Sequence, residues 1–246
     1  MFIKVVGLYF FMKKAVLFDL DNTLYDYDKP HKKALKNVYR VLKKHVKISF
    51  PRFLLLFGFA KREIHRELAG TAAAHNRILY FQRLIEKTES TVDPGLNLLL
   101  YNAYWDCLLK NMRLRPGALD VLKELKKKGL KVAIVSDLTT NIQLRKLKKL
   151  NIGKYIDVLV TSEEAGSEKP HQIMFLLALN KLRLRPHEAI MVGDNSITDI
   201  EGANSVGMDT VLLKRGILAK VSKEDYRKPN YVVKGIPGVL KILEKV

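Results

Sequence analysis

Short apolar runs alternate with amphipathic stretches at the start of the chain and through its second half. The runs are continuous, which is typical of strands that are buried on both faces of a parallel sheet. Six strands are predicted in this way, at residues 15–18, 131–135, 156–160, 189–192, 210–213 and 231–233. Because strands and helical patterns alternate, we expect an α/β fold with a Rossmann-like parallel sheet core, helices on both faces and right-handed connections.

Helical periodicity predicts the connections between these strands. The first connecting helix begins at Pro116 and stops at Gly129, in line with the preference for proline at a helix start and glycine after its end. Further helices are predicted at residues 140–150, from Pro170 onward, and at 197–206. In helix 140–150 we expect two leucines inside and four basic residues outside: Leu144 and Leu147 inward, and Arg145, Lys146, Lys148 and Lys149 outward.

Residues 29–111 interrupt this alternation. They show helical periodicity, with Ala34, Val38 and Leu42 on one face, and no clear strand run. We therefore predict two domains, an α/β core from residues 1–28 and 112–246, and a smaller all-helical domain at residues 29–111 inserted between the first two strands. Four phenylalanines are expected in the interior of the insert instead of on a base-stacking surface: Phe50, Phe53, Phe57 and Phe59.

The N-terminal residues are apolar and continue into the first predicted strand. No apolar segment of the chain reaches the roughly 18–20 residues that a membrane span needs, so we expect no membrane-spanning segment. No basic stretch precedes the apolar run and no small-residue cleavage site follows it, which argues against a signal peptide. Met12, followed by two lysines, is an alternative start, which would make residues 1–11 an extension.

The composition narrows the class of protein. The chain has 246 residues, of which 48% are hydrophobic, so it can bury a core and disorder is excluded as its main state. Its single cysteine, Cys107, excludes an internal disulfide and a cysteine-based zinc site, and we expect a reducing, cytoplasmic location. The six histidines show no metal-ligand spacing and are interpreted as surface or packing residues.

The charge is strongly positive: 44 lysines and arginines against 25 aspartates and glutamates give a formal net charge of +19. Such a charge suits a partner with phosphate groups: a nucleic acid, an anionic lipid or a small phosphorylated metabolite. It also suits a lysine-rich solvated surface, because the positive residues are spread along the chain and are not gathered in one arm. The charge alone leaves these interpretations open.

Polar residues follow the predicted strands at the ends where parallel sheets bind ligands. Seven occupy such positions: Asp19 and Asp21 after the first strand, Ser136 and Asp137 after the second, Lys169 after the third, and Asp194 and Asp199 after the fourth. If these strands are neighbours, their carboxyl ends share one edge of the sheet and the polar residues converge on one crevice.

Four of these residues, Asp19, Asp21, Asp194 and Asp199, would repel one another and raise their pKa values unless a cation lay among them. Oxygen ligands without histidine or cysteine favour Mg²⁺, which combines carboxylates with waters and a substrate phosphate. Lys169 and the Ser136 hydroxyl would add a cation and a hydrogen-bond donor for the remaining phosphate oxygens. The residues therefore predict phosphoryl transfer with Mg²⁺ as the cofactor.

The same residues resemble the motifs of the haloacid dehalogenase superfamily. The run Asp19–Thr23, with the sequence DLDNT, is similar to the first motif of that superfamily, DxDx[TV]. Ser136, Lys169 and the pair Asp194 and Asp199 match the second, third and fourth motifs in the same order. These motifs lie in the predicted core, and the predicted insert occupies the position of the family's helical cap.

The resemblance to the phosphatases of this family implies catalytic roles. Asp19 would be the nucleophile, attacking phosphorus to form an aspartyl-phosphate. Asp21 would protonate the leaving alkoxide and then deprotonate the hydrolytic water. Lys169 would offset the charge of a carboxylate that attacks a phosphate dianion.

The resemblance also implies the ligand-binding residues. The implied metal ligands are Asp19, the backbone carbonyl of Asp21, and Asp194, with Asp199 supporting the metal directly or through water. The implied phosphate-binding residues are Ser136, Asp137 and Lys169. Thr23 would fix the turn of the first loop.

Asp21 separates the branches of the family. Members that displace halide carry no aspartate at this position, because halide leaves without protonation whereas an alkoxide needs it. We therefore expect a Mg²⁺-dependent phosphatase of small phosphorylated metabolites. Two alternatives stay open: a phosphomutase, which shares this aspartate, and a basic nucleic-acid- or protein-binding module on a hydrolase fold. Four converging carboxylates would repel nucleic acid, which speaks against a nucleic-acid partner without excluding it.

Overall fold

A parallel β-sheet forms the centre of the molecule. The computed structural model describes residues 13–89, 91–214 and 225–246, so the alternative start at Met12 and the extension at residues 1–11 lie outside the described residues. The strands are β1 (Ala15–Phe18), β2 (Lys131–Ser136), β3 (Val158–Thr161), β4 (Ala189–Gly193), β5 (Asp209–Leu213) and β6 (Tyr231–Val233). Within the described residues they form one parallel sheet in the order β3-β2-β1-β4-β5-β6.

The predicted α/β class and the six predicted strands are confirmed. The largest difference between a predicted and an observed strand boundary is at β3. This strand begins at Val158 instead of residue 156, after a short 3₁₀ turn at Gly153–Tyr155. In β1, Val16 points to one face of the sheet and Leu17 to the other, and both are fully buried. Burial on both faces is the reason that the strands read as continuous apolar runs.

Helices cover both faces of the sheet. In chain order they are α1 (Asp28–Leu42), α2 (Phe50–Glu67), α3 (Arg77–Glu89), α4 (Pro94–Asn111), α5 (Ala118–Lys127), α6 (Thr140–Leu150), α7 (Ser162–Ala165), α8 (Gln172–Leu182), α9 (Gly202–Asn204) and α10 (Gly238–Leu243). Helices α5 and α6 pack against the face that carries Val16, and α8 packs against the face that carries Leu17.

The described part of the segment 29–111, called the cap below, is helical. It consists of nearly all of α1, the helices α2 to α4, and a 3₁₀ turn at Ala72–His75. Asp93 caps the start of α4 by accepting a hydrogen bond from the Leu96 N–H at 2.8 Å. The apolar interior of the cap is continuous with the cluster on one face of the sheet. The domain boundaries themselves stay a prediction. None of the described helices is both long enough and apolar enough to cross a membrane.

The phenylalanines of α2 follow the prediction in part. Phe53 and Phe57 are buried, and Phe50 is partly buried against the same cluster. Phe59 is 41% exposed, so its placement in the interior was wrong. The guanidinium of Arg62 lies 4.8 Å from the centre of the Phe59 ring, and this contact covers part of the exposed ring.

In α6 the burial differs from the prediction at two positions. Leu147 is buried as predicted, but Leu144 is 53% exposed and Lys146 is fully buried. The buried residues recur at helical spacing: Ile142, Gln143, Lys146, Leu147 and Leu150. The prediction was wrong because it took every lysine of the helix as solvent-facing, whereas the position of Lys146 on the helix places it on the inner face.

The cap contacts the core at the loop between α7 and α8. The Glu168 N–H donates a hydrogen bond to the Gly70 carbonyl at 3.0 Å, and His75 Nε2 lies 3.1 Å from Glu168 Oε1. Burial, together with Asp137, raises the pKa of Glu168 to about 8. Burial, with Arg77 nearby, lowers the pKa of His75 to about 3. At neutral pH a protonated Glu168 therefore faces a neutral His75 across this junction.

The junction predicts a pH-dependent contribution to stability. The folded-state pKa of Glu168, about 8, lies above its ordinary value of 4.5. The contribution of this group is therefore complete below about pH 4.5 and is lost as the pH rises through about 8. Replacing Glu168 by Gln keeps a neutral amide in place of the protonated acid and removes this titration.

We expect the Tm of the wild-type protein to fall relative to that of Glu168→Gln as the pH rises from about 5 to about 9. Thermal unfolding followed by circular dichroism over that range measures the difference. Glu89→Gln, at an exposed position at the end of α3, is the control and should follow the wild-type curve. A difference between wild type and Glu168→Gln that does not change with pH would contradict the assignment.

Candidate active site

Neighbouring strand ends bring the predicted residues together. Asp19 follows β1, and its N–H donates to the Val192 carbonyl of β4 at 3.0 Å. Ser136 ends β2 and Asp194 directly follows β4, the two strands that flank β1. The order β3-β2-β1-β4-β5-β6 reverses direction beside β1, and in open α/β sheets ligands bind at the carboxyl ends of the strands at such a point.

Lys169 lies between two of the predicted aspartates. Its Nζ is 2.7 Å from Asp19 Oδ1 and 2.7 Å from Asp199 Oδ1, and all three side chains are buried. Burial alone would lower the pKa of Lys169, but the carboxylates of Asp19, Asp199 and Asp137 raise it well above its usual range. Lys169 is therefore a fixed positive charge at neutral pH.

Three carboxylates approach one another beside this cation. One carboxylate oxygen from each of Asp19, Asp194 and Asp199 lies within 4.8 Å of the others. Asp19 Oδ2 is buried and has no hydrogen-bond partner in the described part of the chain. Burial raises the pKa of Asp19 well above its ordinary value, and Asp199 and Asp194 act in the same direction against Lys169. A further cation beside Asp19 Oδ2 would favour its ionised form, so the residues present fit a hard divalent metal ion.

Asp199 reaches this group through an irregular helix. The predicted helix 197–206 is observed as a π-helix at Ser196–Glu201, followed by α9. Asp199 Oδ2 accepts a hydrogen bond from the Asn195 N–H at 3.0 Å. Gly193 gives it room, because a Cβ at that position would lie 2.3 Å from Asp199 Oδ2. The wider turn of a π-helix is a local feature that often occurs at functional sites.

Ser136 and Asp137 lie beside this group and are held by Gln143 and Lys169. Gln143 Nε2 donates to Ser136 Oγ at 2.7 Å and to the Asp137 carbonyl at 2.6 Å. Ser136 Oγ therefore accepts from the amide, which leaves its own proton available to donate. Asp137 Oδ1 accepts from the backbone N–H of Lys169 at 2.9 Å. Burial raises the pKa of Asp137, opposed by Lys169. The sequence reasoning missed Gln143, which it had no reason to place near Ser136.

Asp21 is held by a lysine that the sequence reasoning placed in solvent. Lys146 Nζ lies 2.7 Å from Asp21 Oδ1 and 2.6 Å from Asp21 Oδ2, and the Tyr25 hydroxyl donates to Asp21 Oδ1 at 2.5 Å. Lys146 also lies 5.7 Å from the centre of the Trp105 ring. Burial lowers the pKa of Lys146, and Asp21 opposes that effect. The side chain of Asp21 is 31% exposed, so it has access to the cavity from this fixed position.

Contacts beyond the predicted Thr23 hold the first loop. Thr23 is fully buried, but its hydroxyl has no hydrogen-bond partner among the described residues. Arg115 donates from Nε and Nη2 to the Asn22 carbonyl at 3.2 and 3.0 Å. Asn22 has a φ of 68°, a left-handed conformation that asparagine tolerates, and its Oδ1 accepts from the Tyr27 N–H at 3.0 Å. The support of the loop by Thr23 stays a prediction.

All of the predicted site residues except Thr23 line one cavity of about 490 Å³. Its core side carries five aspartates and Lys169: Asp19, Asp21, Asp137, Asp194 and Asp199 are the aspartates. Its other side is formed by Lys61, His75 and Arg77 of the cap, with Tyr27 just before α1. Sequence reasoning assigned none of these four to the site and interpreted His75 as a surface or packing residue. No spacing or motif marks them, because they come from separate elements that meet only in the fold.

Comparison with known proteins agrees with this geometry. Residues 16–213 match the family described as Haloacid dehalogenase-like hydrolase. The chain is 45% identical over 203 residues to Ribulose-1,5-bisphosphate 5-phosphatase of Halopiger xanaduensis, covering 82% of this chain and 84% of that protein. It is 31% identical over 232 residues to Glyceraldehyde 3-phosphate phosphatase of Pyrococcus furiosus, covering 94% of this chain and 93% of that protein.

Solved structures show the same fold. A HAD phosphatase from Thermococcus onnurineus is similar with a TM-score of 0.72 and 26% identity, over 94% of this chain and 97% of that chain. A 2-haloacid dehalogenase from Pseudomonas syringae is similar with a TM-score of 0.71 and 20% identity, over 95% and 99% of the two chains, which shows the fold alone. The resemblance stated from the motifs is confirmed. The chain belongs to the haloacid dehalogenase-like hydrolase family and is an enzyme that groups with its phosphatases.

Proposed function

We propose that the protein is a Mg²⁺-dependent phosphatase that hydrolyses phosphate monoesters of small metabolites through an aspartyl-phosphate on Asp19. The observation that carries this proposal is the environment of Asp19. One carboxylate oxygen is paired with Lys169, and the other is buried at the cavity without a hydrogen-bond partner among the described residues. The named relatives are phosphatases of ribulose-1,5-bisphosphate and glyceraldehyde 3-phosphate, which supports a small phosphorylated sugar as the substrate.

The metal ligands that we propose are the carboxylates of Asp19 and Asp194 and the backbone carbonyl of Asp21, with Asp199 in support. This donor set consists only of oxygen atoms, which suits Mg²⁺. When bound, the ion would neutralise charge on the phosphate oxygens and on Asp19. Lys169 already pairs with both Asp19 and Asp199, so these two carboxylates are held in place independently of the metal.

Each residue of the site has a separate role in the proposed two-step reaction. Asp19 attacks phosphorus and forms a bond to it, while the bond from phosphorus to the ester oxygen breaks. The Asp21 carboxyl gives its proton to the departing alkoxide oxygen. In the second step Asp21 takes a proton from water, the water oxygen attacks phosphorus, and Asp19 is released with inorganic phosphate. Ser136 Oγ, Lys169 Nζ and the loop of Asp137 hold the phosphoryl oxygens.

Lys146 acts in this proposal as a positioning residue. Its ammonium contacts both oxygens of Asp21, and Tyr25 contacts one of them, so these contacts hold the carboxyl group in one orientation. General acid–base catalysis needs the carboxyl within hydrogen-bond reach of the ester oxygen, which is a geometric demand.

We place phosphate hydrolysis ahead of the phosphomutase alternative because the named relatives are phosphatases. The acidic core side of the cavity also disfavours nucleic acid as the ligand.

Replacing Asp19 by Asn removes the nucleophile while keeping the size of the side chain. We expect hydrolysis of p-nitrophenyl phosphate with Mg²⁺ to fall by at least about a thousandfold. A chelator should abolish the wild-type activity, and added Mg²⁺ should restore it. Asp120→Asn, at an exposed position of α5, is the matched control and should retain activity. Undiminished turnover by folded Asp19→Asn would contradict the proposed nucleophile.

Replacing Asp21 by Asn removes the proton donor. An alkoxide needs protonation to leave and a nitrophenolate does not, so the loss should depend on the leaving group. We expect the rate of aspartyl-phosphate formation to fall by roughly 10²- to 10⁴-fold with a sugar phosphate. The loss should be much smaller for formation of the aspartyl-phosphate from p-nitrophenyl phosphate. Single-turnover release of the alcohol measures both. Equal losses with the two esters would count against the acid role.

Replacing Lys146 by Met keeps most of the side-chain volume and removes the contact with Asp21. We expect kcat to fall by roughly 10- to 100-fold because the acid is no longer held in position. If Lys146 acts through Asp21, the double variant Asp21→Asn/Lys146→Met should be no slower than Asp21→Asn alone. Multiplicative effects in this double-mutant cycle would show that Lys146 acts independently of Asp21. Lys148→Met, on the exposed side of α6, is the control.

A further inference from the structure

The two sides of the cavity differ in charge. The core side carries five aspartates around Lys169, as described above, and the cap side carries the cations Lys61 and Arg77. Lys61 belongs to α2 and Arg77 begins α3, so two separate cap helices each supply one cation. The proposed phosphatase reaction uses neither of them.

Arg77 is held rigidly among aromatic side chains. Its guanidinium carbon lies between 5.3 and 6.0 Å from the ring centres of four residues: Tyr27, Tyr80, Tyr104 and Trp105. Nη2 donates to the Tyr27 hydroxyl at 2.5 Å, and Nη1 donates to the His75 carbonyl. Several contacts therefore fix the direction of this planar group before any ligand binds.

Neither cation has an acidic partner. No carboxylate of the described residues forms an ion pair with Arg77 or Lys61, although other arginines and lysines in the cap do form such pairs. Arg77 Nε is buried and has no hydrogen-bond partner in the described part of the chain. A buried cationic donor without an acceptor is unfavourable, so the arrangement is complete only when an anion is present. Partial burial lowers the pKa of Lys61, and the positive charge of Arg77 acts in the same direction.

We propose that Arg77 and Lys61 bind a second anionic group of the substrate, so that the substrate is a small molecule with the reacting phosphate at one end and another phosphate or a carboxylate at the other. This inference rests on the proposed phosphatase function. The cavity of about 490 Å³ lies within the range of roughly 300–1,000 Å³ that is typical of small-ligand sites. The planar guanidinium of Arg77 can donate two parallel hydrogen bonds, like the prongs of a fork, and both phosphate and carboxylate can accept them.

The charge of the core side sets the orientation of such a substrate. The reacting phosphate is drawn to Lys169, whereas the surrounding aspartates would repel a second anion that is not bound to a metal ion. The cap side is the part of the cavity that attracts it. A substrate with a neutral end would leave Arg77 and Lys61 without an anion, so the buried Nε of Arg77 would stay without an acceptor.

Two matched pairs of compounds test the proposal. Ribulose 1,5-bisphosphate and ribulose 5-phosphate differ in one phosphate, and 3-phosphoglycerate and glyceraldehyde 3-phosphate differ in the oxidation state of one carbon, as carboxylate or aldehyde. We expect kcat/KM to be at least about tenfold higher for the doubly anionic member of one pair or of both. Preference in the first pair identifies phosphate as the second anion, and preference in the second pair identifies carboxylate.

Variants assign that preference to the two cations. Lys61 is exposed, and we expect Lys61→Gln to fold and to lower the ratio of kcat/KM within the preferred pair by at least about fivefold. Arg77→Lys should lower the same ratio, because an ammonium cannot reproduce the fork. Arg66→Gln removes one positive charge from the exposed side of α2 and should leave the ratio unchanged. Circular dichroism shows whether Arg77→Lys is folded. If Arg77→Lys is unfolded, the result with Lys61→Gln alone tests the proposal.

The outcomes separate this inference from the proposed function. Hydrolysis of p-nitrophenyl phosphate without a preference in either pair would overturn the second-anion site and leave the phosphatase proposal intact. A preference that Lys61→Gln and Arg66→Gln reduce equally would also overturn it, because overall charge would then explain the effect. Absence of hydrolysis of every phosphate ester in the presence of Mg²⁺ would overturn the phosphatase proposal itself.

Discussion

A buried lysine between two buried carboxylates is the interaction on which the rest of the site depends. Lys169 lies 2.7 Å from both Asp19 and Asp199, and all three side chains are removed from solvent. Without this cation, the like charges at the ends of β1 and β4 would repel one another in a medium that screens them weakly. Lys169 contacts only one oxygen of Asp19, and Asp19 Oδ2 has no hydrogen-bond partner among the described residues. The arrangement therefore holds the nucleophile in place and still favours a further cation.

A second lysine pairs with an aspartate in the first loop. Asp19 and Asp21 are separated by one residue, and each meets its own lysine: Lys169 from the loop before α8, and Lys146 from the inner face of α6. The pair of Lys169 and Asp19 is buried, and removing one member of such a pair typically destabilises a protein by about 3–5 kcal/mol. Asp21 is partly exposed, so the figure applies only to the first pair. The two aspartates are thus tied to two different parts of the core. Their relative position is a property of the packed domain and not of the short loop that carries them.

The cap completes the cavity with the opposite charge. Its two cations face a core side that is rich in aspartates, so the cavity has an acidic end and a basic end. The formal net charge of +19 does not describe this local pattern, since aspartates outnumber lysines and arginines along the cavity wall. Local charge, fixed by the meeting of cap and core, governs which molecules bind there. The Gly70–Glu168 hydrogen bond ties the cap to the loop that carries Lys169.

The sequence by itself determined the sheet and the residues at its strand ends. A strand that is buried on both faces has apolar residues at successive positions, so the sequence of a few neighbouring residues is enough to predict it. The ends of the predicted strands then identified Asp19, Ser136 and Asp194 as site residues. Only the tertiary structure decided the partners. Lys146 lies 125 residues from Asp21 in the chain, and its direction depends on the rotation of α6 against the sheet. Arg77 likewise reaches the cavity only through the packing of the cap. Periodicity encodes which face of an element is apolar, but an inward charge is stable only opposite a distant partner, which no local pattern specifies.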